Sequence, residues 1–595
     1  MRYLRLLSNA LIAGLVGAAY LTILLLQLNP HLPVFDRVVI EWYAALSALY
    51  GVHLAVGCYG AMLLLEVIGV PVRGPAWVSV RLQAWFGTLL CGGAALLMWL
   101  NLRAFSVAIG EDAARGMAAG AIGATGVAAV LLSIAIASYS IGWRGSRAAA
   151  AILSLALGAS LALPLAARGF GELRPPAAQP FTAPATAATS GGDTEASAGR
   201  VVLVLLEGAS LDYLWPRAVE GRFPNFGRIL DRGAAMDLAT LRPTQPEPVW
   251  AAVATGKYPP RNGVPSSALY YVRSRTHAVQ LLPDYCLAHA LVRFGLVQAA
   301  PHSSSSWRAR PLWSLLATRG ISSGVVRWPV TYPAQPIRGF LISDRLHLVS
   351  RSLLRLVDET VAYPAEVLPA ARDAFFDAPQ APEIAPVPVN ASASGLEPLQ
   401  EQPARWDRIY GRLARELSAS IRPGLLAVRY AGIDAVGHTY LRYAMPRAFG
   451  NVSEADVRRH GAVLDRYYAF LDAEIGAQIA TLGPDDLLLV VSGFGMEPMT
   501  VPKRLLAQLL GDVRMSGTHE RAPDGFLLAY GARVRSGKLQ RGAVVDVAPT
   551  ILYYLGLPVG RDMDGFARTD LFVKEFSDSR PIVFIRSYET LMAGR

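Results

Sequence analysis

The chain has 595 residues, 53% of them apolar and only 17% charged, with a mean hydropathy of +0.33. Soluble globular proteins carry about a quarter charged residues, so this composition excludes a disordered chain and argues against a wholly soluble one. The net charge of +11 leaves nucleic acid or an acidic membrane surface open as partners, and three cysteines exclude a disulfide framework or a Cys-rich zinc module.

Residues 1–168 read as a membrane domain. Apolar runs at about 6–27, 43–70, 79–101, 117–141 and 148–167 each approach the ~20 residues needed to cross a bilayer core. Lipid offers the backbone no hydrogen bonds, so all five are expected to be helices. Gly120, Gly123, Gly126, Ala151 and Ala156 suit close helix packing. Arg2, Arg5, Arg73, Arg81, Arg144 and Arg147 fall in one set of loops. Arg37, Arg103 and Arg115 fall in the other, diluted by Asp36, Glu41, Glu111 and Asp112. The positive-inside rule then puts the N-terminus in the cytoplasm, and five crossings of the cytoplasmic (inner) membrane deliver the rest to the periplasm or exterior. Few ionisable residues lie within the spans, Glu66 being the main exception, which argues against an ion pathway. Ten of the 56 basic residues belong to this domain as topology-setting arginines, and the remainder is a mild surface excess. Membrane lipids are therefore expected partners and nucleic acid is not. Cys58 and Cys91 lie in apolar runs, and Cys286 has no evident partner.

Residues 169–198, rich in Pro, Ala, Thr and Gly without apolar periodicity, are expected to be a linker. From 199 to 573 the texture is α/β. Short apolar runs at 201–208, 322–328, 425–430, 486–493 and 525–531 predict strands. The stretch 453–482 predicts one helix with Ser453 as N-cap and Val457, Leu464, Tyr468 and Leu471 on one face. Apolar strands alternating with helices imply a mostly parallel sheet covered on both faces, with chemistry at the carboxyl ends of the strands. Residues 574–595 are expected to be a C-terminal tail. A formal glycosylation sequon begins at Asn390.

Those strand ends carry candidate ligands. The first run ends in Glu207-Gly208, the run 425–430 leads into Asp434-Ala-Val-Gly-His438, and His519 precedes the last run. One carboxylate and two imidazoles suit zinc, and with an open position they form a catalytic type of site. Each residue also has a plainer reading: Glu207 as a buried carboxylate satisfied by neighbouring N–H groups, His519 as a solvated loop residue.

The stretch VVLVLLEGASLDYLWPRAVEGRFPNFGRILDRGA, followed by LRPTQPEPVWAAVATGKYPPRNGV, resembles the opening of the type I phosphodiesterase/nucleotide pyrophosphatase group of the alkaline phosphatase superfamily. VVRWPVTYPAQPIRGFLISDR, RYAGIDAVGHTY and VVDVAPTILYYLGLPVGRDMDG resemble that group's later segments in the same order. The resemblance spans about 200–573 and implies an α/β fold, an alkaline-phosphatase-like α/β/α sandwich with a mostly parallel central sheet, behind a five-helix transmembrane domain. It further implies two metal ions, usually zinc. Asp434, His438 and His519 match the ligands of one. For the other, the carboxylate after the first strand is Glu207, the nucleophile position is Pro246, and the Ser-Asp-His-Gly turn reads Ser492-Gly493-Phe494-Gly495. The group's His-Gly after Thr255-Gly256 is Asn262-Gly263.

Proline has no hydroxyl, and glycine and phenylalanine cannot ligate a cation, so the covalent two-metal mechanism is not expected here. One divalent ion, zinc, is expected rather than two. Thr244 serves as nucleophile if the loop is re-registered. Glu247 acts with Glu207 as a carboxylate site or as general base, or is an acid favoured at a helix N-terminus. Two functions follow: a membrane-anchored phosphoesterase acting on a lipid or glycan phosphate, or a pseudoenzyme that binds a ligand or envelope partner.

Overall fold

The computed structural model describes residues 1–69, 75–140, 147–171, 199–272, 277–283, 288–347, 359–376, 383–385, 402–450, 452–509 and 515–589. Most of the expected linker, Cys286 and Asn390 lie outside them. By their internal contacts, Met1–Pro176 and Ala268–Pro301 form one compact unit, and Ala177–Ser267 and His302–Arg595 form a second.

Among the described residues, the first unit holds five helices long and apolar enough to cross a membrane, which suggest an integral membrane protein. They are α1 (Arg2–Leu28), α2 (Arg37–Val67, with a π turn at Ser47–Gly51), α3 (Val80–Ile109), α4 (Glu111–Ser140) and α5 (Arg147–Arg168). Small residues let backbones approach. A Cβ on Gly14 would lie 2.3 Å from the Gly51 carbonyl oxygen, and one on Gly120 would lie 3.1 Å from Pro164 Cα. Gly126, expected to act in the same way, has nothing within 4 Å. Some polar groups inside the unit are paired: the Tyr20 and Ser160 hydroxyls lie 2.5 Å apart. Arg168 donates to the carbonyls of Leu26 (2.7 Å) and Asn29 (2.9 Å), a cation on the orphan acceptors at the end of α1.

Residues 268–301 belong to this unit although they interrupt the second one in sequence. They form an antiparallel hairpin of Ala268–Tyr271 with Gln298–Pro301. Between its strands, Leu281 packs with Leu28, Phe105 and Ile109. The Asn29 side chain accepts from the Gln280 and Leu281 N–H groups and donates to the Leu281 carbonyl at 2.7 Å.

The second unit is built on a mixed sheet: β1 (Val201–Leu206), β2 (Ala234–Ala239), β3 (Ser323–Val326), β4 (Gly339–Ile342), β5 (Ala362–Tyr363), β6 (Leu425–Tyr430), β7 (Leu487–Phe494) and β8 (Asp524–Tyr530). The order is β2-β8-β7-β1-β6-β3-β4-β5, with Gly537–Lys538 and Gly542–Ala543 pairing beside β2. The five strands from β7 to β4 are parallel, and antiparallel pairing is confined to the flanks. Strand periodicity explains the layering. Val202, Val204 and Leu206 of β1 enter one hydrophobic cluster, and Val201, Leu203 and Leu205 enter another on the opposite face. Helix α6 (Pro246–Thr255) covers the second face, and α7 (Pro403–Ile421) covers the first. All five predicted strands are present, each within about two residues of its expected ends.

Helix α8 (Gly432–Ala444) follows β6 and is fixed at its N-terminus by a buried ion pair. Arg327, just past β3, donates to Asp407 of α7 at 2.5 Å, with both side chains at most 1% exposed. The same carboxylate accepts from Tyr467 Oη at 2.9 Å and from the Gly432 N–H at 3.2 Å. A Cβ on Gly432 would lie 1.9 Å from that phenolic oxygen, so the approach requires glycine.

The helix expected over 453–482 is divided into α9 (Glu454–His460) and α10 (Val463–Ile479). Ser453 does cap α9, accepting from the Asp456 N–H at 3.1 Å. The break comes at Gly461, where a Cβ would lie 2.6 Å from the Val457 carbonyl oxygen and 3.3 Å from that of Tyr443. Residues 574–589, read from sequence as part of a tail, are folded. Phe576 is in the second cluster, and Phe584–Ile585 pairs in parallel with Val559–Gly560. Lys257 bridges Asp562 (2.6 Å) and Glu589 (3.1 Å).

Candidate metal centre

Asp434 and His438 are four residues apart and so share one face of α8. His519 reaches the same point from the turn after Gly517–Thr518, a two-residue strand paired with Glu497–Pro498. The Ser516 N–H donates to the His438 carbonyl at 2.7 Å, which ties that segment to α8. Ligand atoms of Asp434, His438 and His519 all lie within 4.8 Å of one another, the group among the described residues able to share a cation. Asp434 Oδ2 is 3.4 Å from His438 Nε2, and the two imidazole rings have centroids 5.1 Å apart.

The surroundings point the right atoms inward. His438 Nδ1 lies 2.8 Å from the Gly517 carbonyl oxygen, and His519 Nδ1 lies 3.0 Å from that of Thr244. A carbonyl only accepts, so both Nδ1 atoms carry a proton, and in the neutral, ligating form of each ring the lone pair is on Nε2, the arrangement that orients metal-binding imidazoles. Asp434 Oδ1 is buried and has no hydrogen-bond partner. It lies 2.6 Å from where a Cβ on Gly208 would stand, and Gly208 has φ +72°. A buried carboxylate oxygen without a partner is costly and fits a site whose cation supplies the missing contact. Burial alone would raise the Asp434 pKa, but His438, His519 and Arg429 together hold it below the ordinary carboxylate range. For His438, burial is outweighed by Asp434 and the pKa is raised, whereas burial pushes His519 down toward the neutral, ligating form.

Glu207, expected as a fourth ligand, is not in this group. Its side chain is 5% exposed, and its Oε2 accepts from the Arg429 guanidinium and, at 2.8 Å, from Trp250 Nε1. Arg429 was missed in the sequence, though a lone arginine inside the apolar strand LLAVRY was itself the signal: a buried guanidinium needs a carboxylate partner. The rest of the degenerate half is filled by packing. A Cβ on Gly493 would lie 2.3 Å from Val249 Cγ1, and Phe494 is fully buried with its ring 4.9 Å from that of His519.

Pro246 is the first residue of α6, where its missing N–H costs nothing. Glu247 stands in the first turn of the same helix, the position where an acid meets the helix dipole. Thr244 is buried, and its hydroxyl donates to the Leu241 carbonyl at 2.8 Å. That bond gives the hydroxyl a structural role. Thr244→Val is expected to lower stability by about 1–2 kcal/mol in a denaturant titration, while metal content stays unchanged.

A family model described as type I phosphodiesterase / nucleotide pyrophosphatase matches residues 201–546 of this chain. No curated protein matches it. Among solved structures, an inactive variant of murine ectonucleotide pyrophosphatase/phosphodiesterase 5 in complex with AMP is similar at 13% identity and a TM-score of 0.36, over 63% of this chain and 100% of that one.

Proposed function

We propose a function from one premise: the chain belongs to the type I phosphodiesterase/nucleotide pyrophosphatase family. We read it as a membrane-anchored phosphoester hydrolase that uses one divalent cation and forms no covalent phospho-enzyme. The observation that carries this reading is the Asp434–His438–His519 group, with its inward-facing Nε2 atoms and partnerless carboxylate oxygen. One oxygen and two nitrogen donors favour zinc. When bound, the ion supplies Lewis-acid polarisation of a phosphoryl oxygen. His438 and His519 hold it through nitrogens oriented by Gly517 and Thr244, and Asp434 offsets its charge. Glu247, on the rigid start of α6, is the carboxylate proposed to take the proton from an attacking water. Pro246 offers no hydroxyl, so water attacks directly. The arginine distribution of the short loops supports a cytoplasmic N-terminus and an extracytoplasmic second unit. Five anchoring helices support a phosphoester held in or near the membrane, linked to lipid or glycan.

The test is turnover of phosphomonoesters and phosphodiesters by the full-length protein in detergent with zinc or manganese. Turnover lost in His438→Ala and reduced in Glu247→Gln is expected. No turnover above that of His438→Ala overturns the reading. A second reading, a binding domain without chemistry, is favoured by the filling of the other half of the site with Arg429, Val249 and Phe494. It requires that the same protein bind metal and a phosphoester without consuming it.

A further inference from the structure

The membrane unit contains a mostly apolar pocket. Its walls are mostly leucine: Leu21 and Leu25 of α1, Leu46 of α2, Leu97 of α3, and Leu282 from the 268–301 segment. Two polar side chains interrupt them. Asn101 of α3 is fully buried, and both its Oδ1 and its Nδ2 lack a hydrogen-bond partner. Tyr50 of α2 places a buried hydroxyl, also without a partner, in the same lining. Inside a hydrocarbon layer water does not satisfy such groups, and a purely apolar packing role would be met by another leucine.

The chemistry of the lining narrows the occupant. A lipid chain already in hydrocarbon gains little by moving between apolar surroundings, so the polar atoms select. A bare alkyl chain leaves all three orphaned. An ester carbonyl accepts from Asn101 Nδ2 and the Tyr50 hydroxyl, and an adjacent alcohol donates to Asn101 Oδ1. We propose that this cavity binds an acylglycerol with a free hydroxyl, its acyl chain between the leucines and its ester and hydroxyl on Asn101 and Tyr50. A lysophospholipid and a diacylglycerol both present this group. The inference stands on the membrane unit alone and holds whether or not the protein hydrolyses phosphoesters.

The test is photolabelling of the full-length protein in phosphatidylcholine nanodiscs with diazirine-acyl lysophosphatidylcholine, diacylglycerol and phosphatidylcholine. Labelling by either of the first two is expected to map to peptides containing Leu97–Asn101 or Leu46–Tyr50, and which of them labels identifies the source. Asn101→Leu is expected to weaken this labelling about tenfold. Tyr50→Phe, which keeps the ring, is expected to weaken it less and serves if the first variant misfolds. Leu96→Trp, on a side chain 59% exposed outside the cavity, is expected to leave it unchanged. Equal labelling by phosphatidylcholine, or labelling that neither Asn101→Leu nor Tyr50→Phe weakens, overturns the proposal.

Discussion

Purified with zinc, the protein is expected to carry one ion per chain by elemental analysis, and His438→Ala or Asp434→Asn to carry none. Three ligands are the minimum for a catalytic type of zinc site, so losing any one leaves a pair without the geometry to compete with water and buffer. The binding energy enters stability by mass action. With free zinc at a thousandfold excess over Kd it adds about 4 kcal/mol, and a chelator is expected to lower the melting temperature by several degrees. His438→Ala should show the lower value with no further response to chelator. The count should also resist repair. Gly493→Asp combined with Phe494→His restores the missing residue types of the second site, but a Cβ at 493 would lie 2.3 Å from Val249, and Glu207 is held by Arg429 and Trp250. One ion is still expected, and a second would refute the account of this half of the site as filled.

Arg429→Met is expected to cost about 3–5 kcal/mol in a urea titration followed by tryptophan fluorescence. The pair it breaks is almost wholly buried, at 4% and 5% exposure. Removing Arg429 takes the guanidinium away from a buried carboxylate that still accepts from Trp250 Nε1, whereas removing both charges replaces two desolvated ions with neutral groups. The double variant Glu207→Gln, Arg429→Met is therefore expected to recover most of the loss, with a coupling energy well above the ~0.5 kcal/mol of independent sites. A single-variant cost below about 1 kcal/mol would mean that the pair is open to water.

These two expectations mark what was legible in the sequence. Asp434, His438 and His519 could be named because ligand spacing on a helix and residues next to strand ends are local features. The five predicted strands, β1, β3, β6 and β7 of the parallel set and the antiparallel β8, were equally plain, being apolar runs buried on both faces. Glu207 was assigned by its place after β1, but its partner comes from a strand more than 200 positions away, and pairing between neighbouring strands leaves no local periodic mark. β2, with the composition AAMDLA, and the short β4 carry too little apolar patterning to announce a strand. At the division, a Cβ on Gly461 would lie 3.3 Å from the Tyr443 carbonyl oxygen, a tertiary contact that the local sequence does not mark.

The placement of residues 268–301 with the membrane helices makes the connection between the two units triple, because the chain passes from one to the other near 176, 267 and 301. A protease cutting only within 172–198 would nick the protein without releasing the second unit. A fragment starting at residue 199 would be worse than incomplete. It would carry Leu281 stripped of Leu28, Phe105 and Ile109, and Gln280 and Leu281 N–H groups stripped of Asn29. Such a fragment is expected to aggregate, and biochemical work on the metal centre belongs with the intact chain.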